Sequence, residues 1–177
     1  MISLVYSQAR YHQAVCDAIK PGDAVIEIGP HTGKSTRMIA KKAKKVIAID
    51  KSKQAEDAFK EKPKNVTFLR GDVRFFKTID EVLKHTKKCD VLAVDMGGGR
   101  FPDTVFKVWA VWSGVFKPRD SIIRNCGLGE FVKRAKIADP LIEKDFPDSG
   151  WLSQTGRKTP SQLKEGLEEM KNWIVDI

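Results

Sequence analysis

Four acidic residues of this 177-residue chain stand in or just after short, β-branched apolar runs. Glu27 lies in Ala24-Val25-Ile26-Glu27-Ile28, and Asp50 closes Val46-Ile47-Ala48-Ile49-Asp50. Asp72 follows Val66-Thr67-Phe68-Leu69-Arg70-Gly71, and Asp95 follows Val91-Leu92-Ala93-Val94. Runs of this length and composition read as buried strands, not helices. A carboxylate at a strand end is an acceptor for hydroxyl or amino groups, or a base. Behind Glu27 come Gly29 and Gly33, then Lys34-Ser35-Thr36 opening a helix to about Ala43, with Met38 and Ile39 expected on its inner face. Strand, glycine turn and helix start bring free backbone N–H groups and a positive helix end to one spot. That spot suits the anionic or electron-rich part of a nucleotide-like ligand.

Three ligand readings compete for this turn. A phosphate loop is suggested by Gly33-Lys34-Ser35, yet only three residues separate Gly29 from Gly33, and Ile28 stands where that motif needs glycine. A dinucleotide turn needs a middle glycine where Pro30 and His31 stand. The third pattern, Glu-x-Gly-x-x-x-Gly followed by an acid at the end of the next strand, is complete. Asp50 lies 21 residues after Gly29, a distance and residue type that fit a carboxylate accepting both ribose hydroxyls.

From Lys20 to Asn125 the chain resembles the class I S-adenosylmethionine (SAM)-dependent methyltransferases. The resemblance rests on Lys20-Pro21-Gly22-Asp23, on Glu27-Ile28-Gly29 with Gly33, and on Val46 to Asp50. It continues in Asn65-Val66-Thr67-Phe68-Leu69-Arg70-Gly71-Asp72 and in Asp90-Val91-Leu92-Ala93-Val94-Asp95, all at ordinary strand–helix spacing. It implies that Glu27, Gly29 and Gly33 order the loop and the methionine end of SAM, while His31 either leans on the ligand or fills the loop. It further implies that Asp50 takes the ribose, Asp72 with Val73 the adenine, and Asp95 the methyl end, with Lys51 a further cofactor contact. His31 replaces a frequent glycine, a departure shared with catechol-type O-methyltransferases.

The acceptor side is read from two further strand ends. Asp95-Met96-Gly97-Gly98-Gly99-Arg100 lacks the Asn/Asp-Pro-Pro-Tyr of nucleic-acid amino-group methyltransferases, and its three glycines allow close approach of a flat substrate or of SAM. Asp95 is the candidate base, with holding of the loop as the alternative. Metal-dependent O-methyltransferases place Asp-Asn at the end of the next strand, where this chain has Arg124-Asn125. A guanidinium there repels a cation, so no metal is expected. Arg100, Arg124 and Asn125 are the candidate substrate contacts. Cys126 is a nucleophile candidate for pyrimidine methylation, but the accompanying Pro-Cys motif is missing.

These residues need an α/β scaffold: a single domain over 1–177, with a doubly wound, mostly parallel sheet of core order 3-2-1-4-5. Amphipathic or capped helices are expected over Ser7–Ile19, Ser52–Lys60 and Pro102–Phe116, and around Gly129–Ala138. Thr78 with Glu81 reads as a capping box for another helix through Val82 and Leu83. Trp109 and Trp112 recur at helical spacing and read as core. Beyond residue 138 the usual last hairpin is not evident, and Thr159-Pro160-Ser161-Gln162 starts a helix through Leu163, Leu167 and Met170. The Trp151–Lys158 stretch is a lid candidate. A sheet shortened at this end exposes an apolar edge, to be covered by the final helix or by a second subunit, which makes a homo-oligomer possible.

The net charge of +9 raises the question of nucleic acid, but ten lysines (41, 42, 44, 45, 60, 62, 64, 84, 87 and 88) end helices, opposite the ligand face. Dipole compensation and solubility explain them, with a basic surface that tethers RNA from behind as the alternative. No apolar run reaches membrane-span length and three scattered cysteines suggest neither disulfides nor zinc, so a cytoplasmic, membrane-free protein is expected. The expected function is methyl transfer from SAM to an acceptor that is RNA or a small molecule. The alternatives are a non-catalytic SAM- or nucleotide-binding module and, behind it, a nucleoside triphosphatase.

Overall fold

The computed structural model describes residues 1–138. Six strands are present: β1 (Ile2–Val5), β2 (Ala24–Ile28), β3 (Lys45–Asp50), β4 (Val66–Arg70), β5 (Val91–Val94) and β6 (Asp120–Arg124). Among the described residues six α-helices accompany them: α1 (Gln8–Ala18), α2 (Lys34–Ala40), α3 (Lys53–Ala58), α4 (Phe76–His85), α5 (Pro102–Phe116) and α6 (Cys126–Arg134). The strands form one sheet in the order β1-β6-β5-β2-β3-β4, every pair parallel. Five of them, β6-β5-β2-β3-β4, reproduce the order expected from the sequence, and β1 adds a sixth beyond β6.

Alternation along each strand builds two cores. Ile26, Ile28, Ile47, Ile49, Leu92, Val94 and Ile123 face α4 and α5, while Val25, Val46, Ala48, Val91, Ala93 and Ile122 face α1 and α2. The chain winds outward from β2 through β3 to β4, then returns to β5 on the other side of β2. The crevice above the C-terminal ends of β2 and β5 is therefore the switch point, where such sheets take ligands. Trp109 and Trp112 are core residues as expected, and Trp112 Nε1–H donates to the Val73 carbonyl at 2.9 Å.

The strand absent from the sequence reading is β1. It pairs with β6 in parallel, so the edge assigned to the final helix or a partner is occupied by the chain's own first residues. Four residues at a terminus carry too little periodicity to announce a strand. Its register places Ser121 N–H on the Met1 carbonyl at 2.8 Å and Asn125 N–H on the Val5 carbonyl at 3.2 Å.

Three local expectations need correction. Met38 is 41% exposed while Ile39 is buried, because adjacent helical positions lie about 100° apart and only one can face the sheet. Thr78 is not a cap: α4 begins at Phe76, and the Thr78 hydroxyl, inside the first turn, donates to the Asp72 carbonyl at 2.6 Å. The last described helix is α6, earlier than the expected 129–138. It starts at Cys126 because the Asn125 side chain accepts from Leu128 N–H and caps it. The helix expected from Thr159 through Met170 and the Trp151–Lys158 lid candidate lie outside the described residues.

The basic residues sit as the helix directions require. Lys42 Nζ donates to the Cys16 carbonyl and Lys45 Nζ to the His85 carbonyl, in the last turns of α1 and α4. Both cations thus compensate helix C-termini, at the end of the sheet opposite the crevice.

Candidate cofactor and transfer site

The site is built on Gly29, where β2 ends. Its N–H donates to the Ile49 carbonyl at 2.9 Å, and Asp95 N–H donates to the Ile28 carbonyl at 2.9 Å, so three strands meet around one residue. Its φ is +80°, and a Cβ there would lie 2.1 Å from the Asp95 carbonyl oxygen. Only glycine satisfies both the left-handed backbone and the close approach.

Above this junction opens a cavity of about 650 Å³, within the range of small-molecule and cofactor sites. Gly29, His31, Asp50, Lys51, Asp72, Val73, Asp95 and Arg124 line it, eight of the residues singled out by the sequence. Met96, from the Asp95–Arg100 stretch, also lines it, as do Gln8, Phe101 and Thr104, which were not foreseen. Glu27, Gly33, Arg100 and Asn125 do not line it. Gly33 sits at the start of α2 with φ +76°, against the Phe59 ring. Asn125 is fully buried, caps α6, and donates from Nδ2 to the Arg100 carbonyl at 2.8 Å. Arg100 is exposed, its guanidinium 5.6 Å from the Phe101 ring centre.

Each strand-end carboxylate has a distinct environment. Asp50 accepts His31 N–H at 3.1 Å on one oxygen and Ser52 N–H at 2.9 Å on the other. These bonds fix its plane, and each oxygen keeps a lone pair for the cavity. Asp72 accepts from Arg74 Nε at 3.0 Å and from its terminal nitrogen at 2.7 Å, with Lys51 Nζ at 3.7 Å. Burial pushes the Asp72 carboxyl up, but Arg74 and Lys51 outweigh it and hold the group below the usual carboxylate range.

Asp95 and Arg124 form the floor. Arg124 donates from one terminal nitrogen to both Asp95 oxygens, at 3.0 and 3.1 Å, and from Nε to the Tyr6 carbonyl at 3.3 Å. Both side chains are mostly buried. Burial raises the Asp95 carboxyl above its ordinary value, and the Arg124 cation offsets this only in part. The pairing places a fixed positive charge where the metal-dependent subclass has its second acid. Over the floor hang Gly97, Gly98 and Gly99, all at positive φ, followed by Phe101 at φ +56°, 58% exposed at the cavity mouth.

Glu27 works from beneath the cavity. It points to the α1–α2 side of the sheet, wholly buried, and accepts the Thr36 hydroxyl at 2.5 Å, which ties β2 to the first turn of α2. Burial pushes its carboxyl up to about 7, with bonds from Ser35 and Thr36 pulling back and Asp95 pushing further. A folded-state value above the ordinary 4.5 means that Glu27 favours folding most below about pH 4.5. That stabilisation fades as pH rises through 7, in total about 3 kcal/mol. Glu27→Gln keeps an acceptor for Thr36 and removes the charge. Its urea midpoint is expected to exceed that of the parent chain at pH 8 and to depend less on pH between 5 and 8. An unchanged slope would exclude a buried, titrating Glu27.

Residues 8–120, more than half of the chain, match the sequence profile of the FtsJ-like methyltransferases. The chain belongs to that family. Solved structures with partial likeness to this FtsJ-like chain include the 23S rRNA methyltransferase ErmE, at 14% identity over 72% of this chain and 50% of that one, with a TM-score of 0.49. An rRNA methylase from Streptococcus thermophilus shares 16% identity over 47% and 50% of the two chains, with a TM-score of 0.40. A precorrin 8W decarboxylase from Methanobacterium thermoautotrophicum shares 24% over 54% and 52%, with a TM-score of 0.41. The FtsJ-like chain thus aligns with about half the length of each. No curated protein sequence matches it. The matched segment ends where β6 begins, so it holds Glu27, Gly29, Asp50, Asp72 and Asp95 but not Arg124. No helix among the described residues is long and apolar enough to cross a membrane.

Proposed function

We propose that this FtsJ-like chain binds SAM in the switch-point cavity and transfers its methyl group to a hydroxyl or amine of an acceptor, either RNA or a small molecule. The observation that carries the proposal is the convergence of Asp50, Asp72 and the Asp95–Arg124 pair on one cavity over the Gly29 junction. The residues suit the cofactor's chemistry. Asp50 keeps acceptor capacity for two ribose hydroxyls, and Asp72 for an amino group, beside the apolar Val73. Gly29 lines the cavity and lets the Asp95 carbonyl pack directly against the turn, which brings the Asp95 strand end to the same cavity.

When bound, SAM supplies an already activated methyl group, so positioning is the protein's main task. Asp95 holds the acceptor's hydroxyl or amine and takes its proton as the new bond forms. Its raised carboxyl is a better base than an ordinary aspartate, and Arg124 keeps it ionised and oriented near neutrality. Arg74 and Arg100, both exposed near the cavity, supply charge for an acceptor's phosphate or carboxylate.

Calorimetric titration with SAM, S-adenosylhomocysteine, ATP and NAD tests the cofactor. The two SAM-type ligands are expected to bind, and Asp50→Ala to weaken them about tenfold to a hundredfold, the loss of one or two bonds to a charged group. Preferential ATP binding, abolished by Lys34→Ala, would replace this reading with a triphosphatase.

A further inference from the structure

Helix α6 is amphipathic, yet none of its side chains is buried among the described residues. Its first turns are held: Gly127 lies against Pro102, Leu128 packs on the α5 side of the core, and Gly129 lies against the Tyr6 ring. One turn further, Phe131 is 68% exposed, Val132 60% and, after the helix, Ile137 56%. Phe131 and Val132 follow Leu128 at i+3 and i+4, so they share its face and extend it beyond the body. Tyr6, just past β1 and against Gly129, continues the apolar surface at 55% exposure. A contiguous apolar face of this kind marks a contact surface.

We propose that this face is the docking site of the chain's own residues 161–175, which cover α6 and the Tyr6 end of β1. Two observations favour that occupant. The first is complementary pattern: Leu163, Leu167, Met170 and Ile174 recur at spacings of four, three and four, one stripe of a helix. The second is charge. Residues 139–177 carry eight Asp and Glu against five Lys and Arg, whereas residues 1–138 carry 15 against 27. Glu165, Glu168 and Glu169 flank the stripe, and Lys133, Arg134 and Lys136 flank the exposed face of α6. The chain leaves the described body at this same face, so a link of some twenty residues, ample at about 3.3 Å each, brings the stripe back.

Docking there also reaches the cavity. Asn125 and Cys126 at the start of α6 support the Arg100 carbonyl and Gly99, so bracing α6 steadies the glycine loop over Asp95.

Hydrogen exchange of the full chain, read by peptide, tests this. Peptides within 161–175 are expected to be protected about a hundredfold over unstructured rates. Phe131→Asp with Val132→Asp should remove that protection while β2–β5 peptides keep theirs. Leu167→Asp, placed in the docking segment itself, should do the same. Unprotected 161–175 peptides in the parent chain overturn the proposal, as does protection that survives either variant. Protection that disappears on dilution together with a sedimenting dimer also overturns it, assigning the face to a second copy.

Discussion

Gly29→Ala is expected to abolish SAM binding and to lower folding stability by about 3 kcal/mol or more. The new Cβ would meet the Asp95 carbonyl oxygen at 2.1 Å, a backbone atom held by its own strand. Relief requires parting β2 from β5, which breaks the Asp95 N–H bond to Ile28 and the Gly29 N–H bond to Ile49. The left-handed φ adds to the cost. Gly22→Ala is the matched control, since Gly22 has φ +92° but no atom within 4 Å of a Cβ. It should cost only about 1 kcal/mol of backbone strain and leave SAM binding intact. Thermal melts and calorimetry of the two variants separate conformational strain from steric overlap. Equal effects at both positions would show that the close approach to Asp95 is unimportant.

The second large effect concerns the cavity floor. Asp95→Asn should preserve the fold and leave SAM binding within a few-fold, while methyl transfer to the acceptor falls by about 10²–10⁴. Transfer is followed with labelled SAM against separated RNA and small-molecule fractions of a cell extract. Arg124→Met leaves the Asp95 carboxyl buried without its cation, so the group rises further above its ordinary value. Transfer in that variant should then recover only at higher pH, whereas Arg124→Lys should restore part of the neutral activity. The stability cost of Arg124→Met is about 1–3 kcal/mol, less than for a wholly buried pair because both groups keep some solvent. Wild-type transfer by Asp95→Asn would reduce Asp95 to a loop anchor. Cofactor binding with no transfer by the parent chain would favour the non-catalytic module.

Much of this protein was legible locally. Strands buried on both faces appear in the sequence as short apolar runs, so Val25–Ile28, Val46–Ile49 and Val91–Val94 announced the sheet. The strand-end acids Asp50, Asp72 and Asp95 then fell on one edge, because parallel strands all end on the same side. Pro102–Phe116 announced its own helix and its two core tryptophans in the same way. What the tertiary structure alone decided involves partners distant in the chain. Arg124 was placed at the ligand face by its strand, but its bond to Asp95, 29 residues away, depends on β5 and β6 being neighbours. Gln8 reaches the cavity, and Tyr6 meets Arg124, because β1 docks beside β6. Its position at a strand end makes Asn125 a candidate substrate contact, yet its cap on α6 and its bond to Arg100 turn it into the core. Periodicity tells which way a side chain points from its own strand or helix. It does not tell which group from another element will be there to meet it.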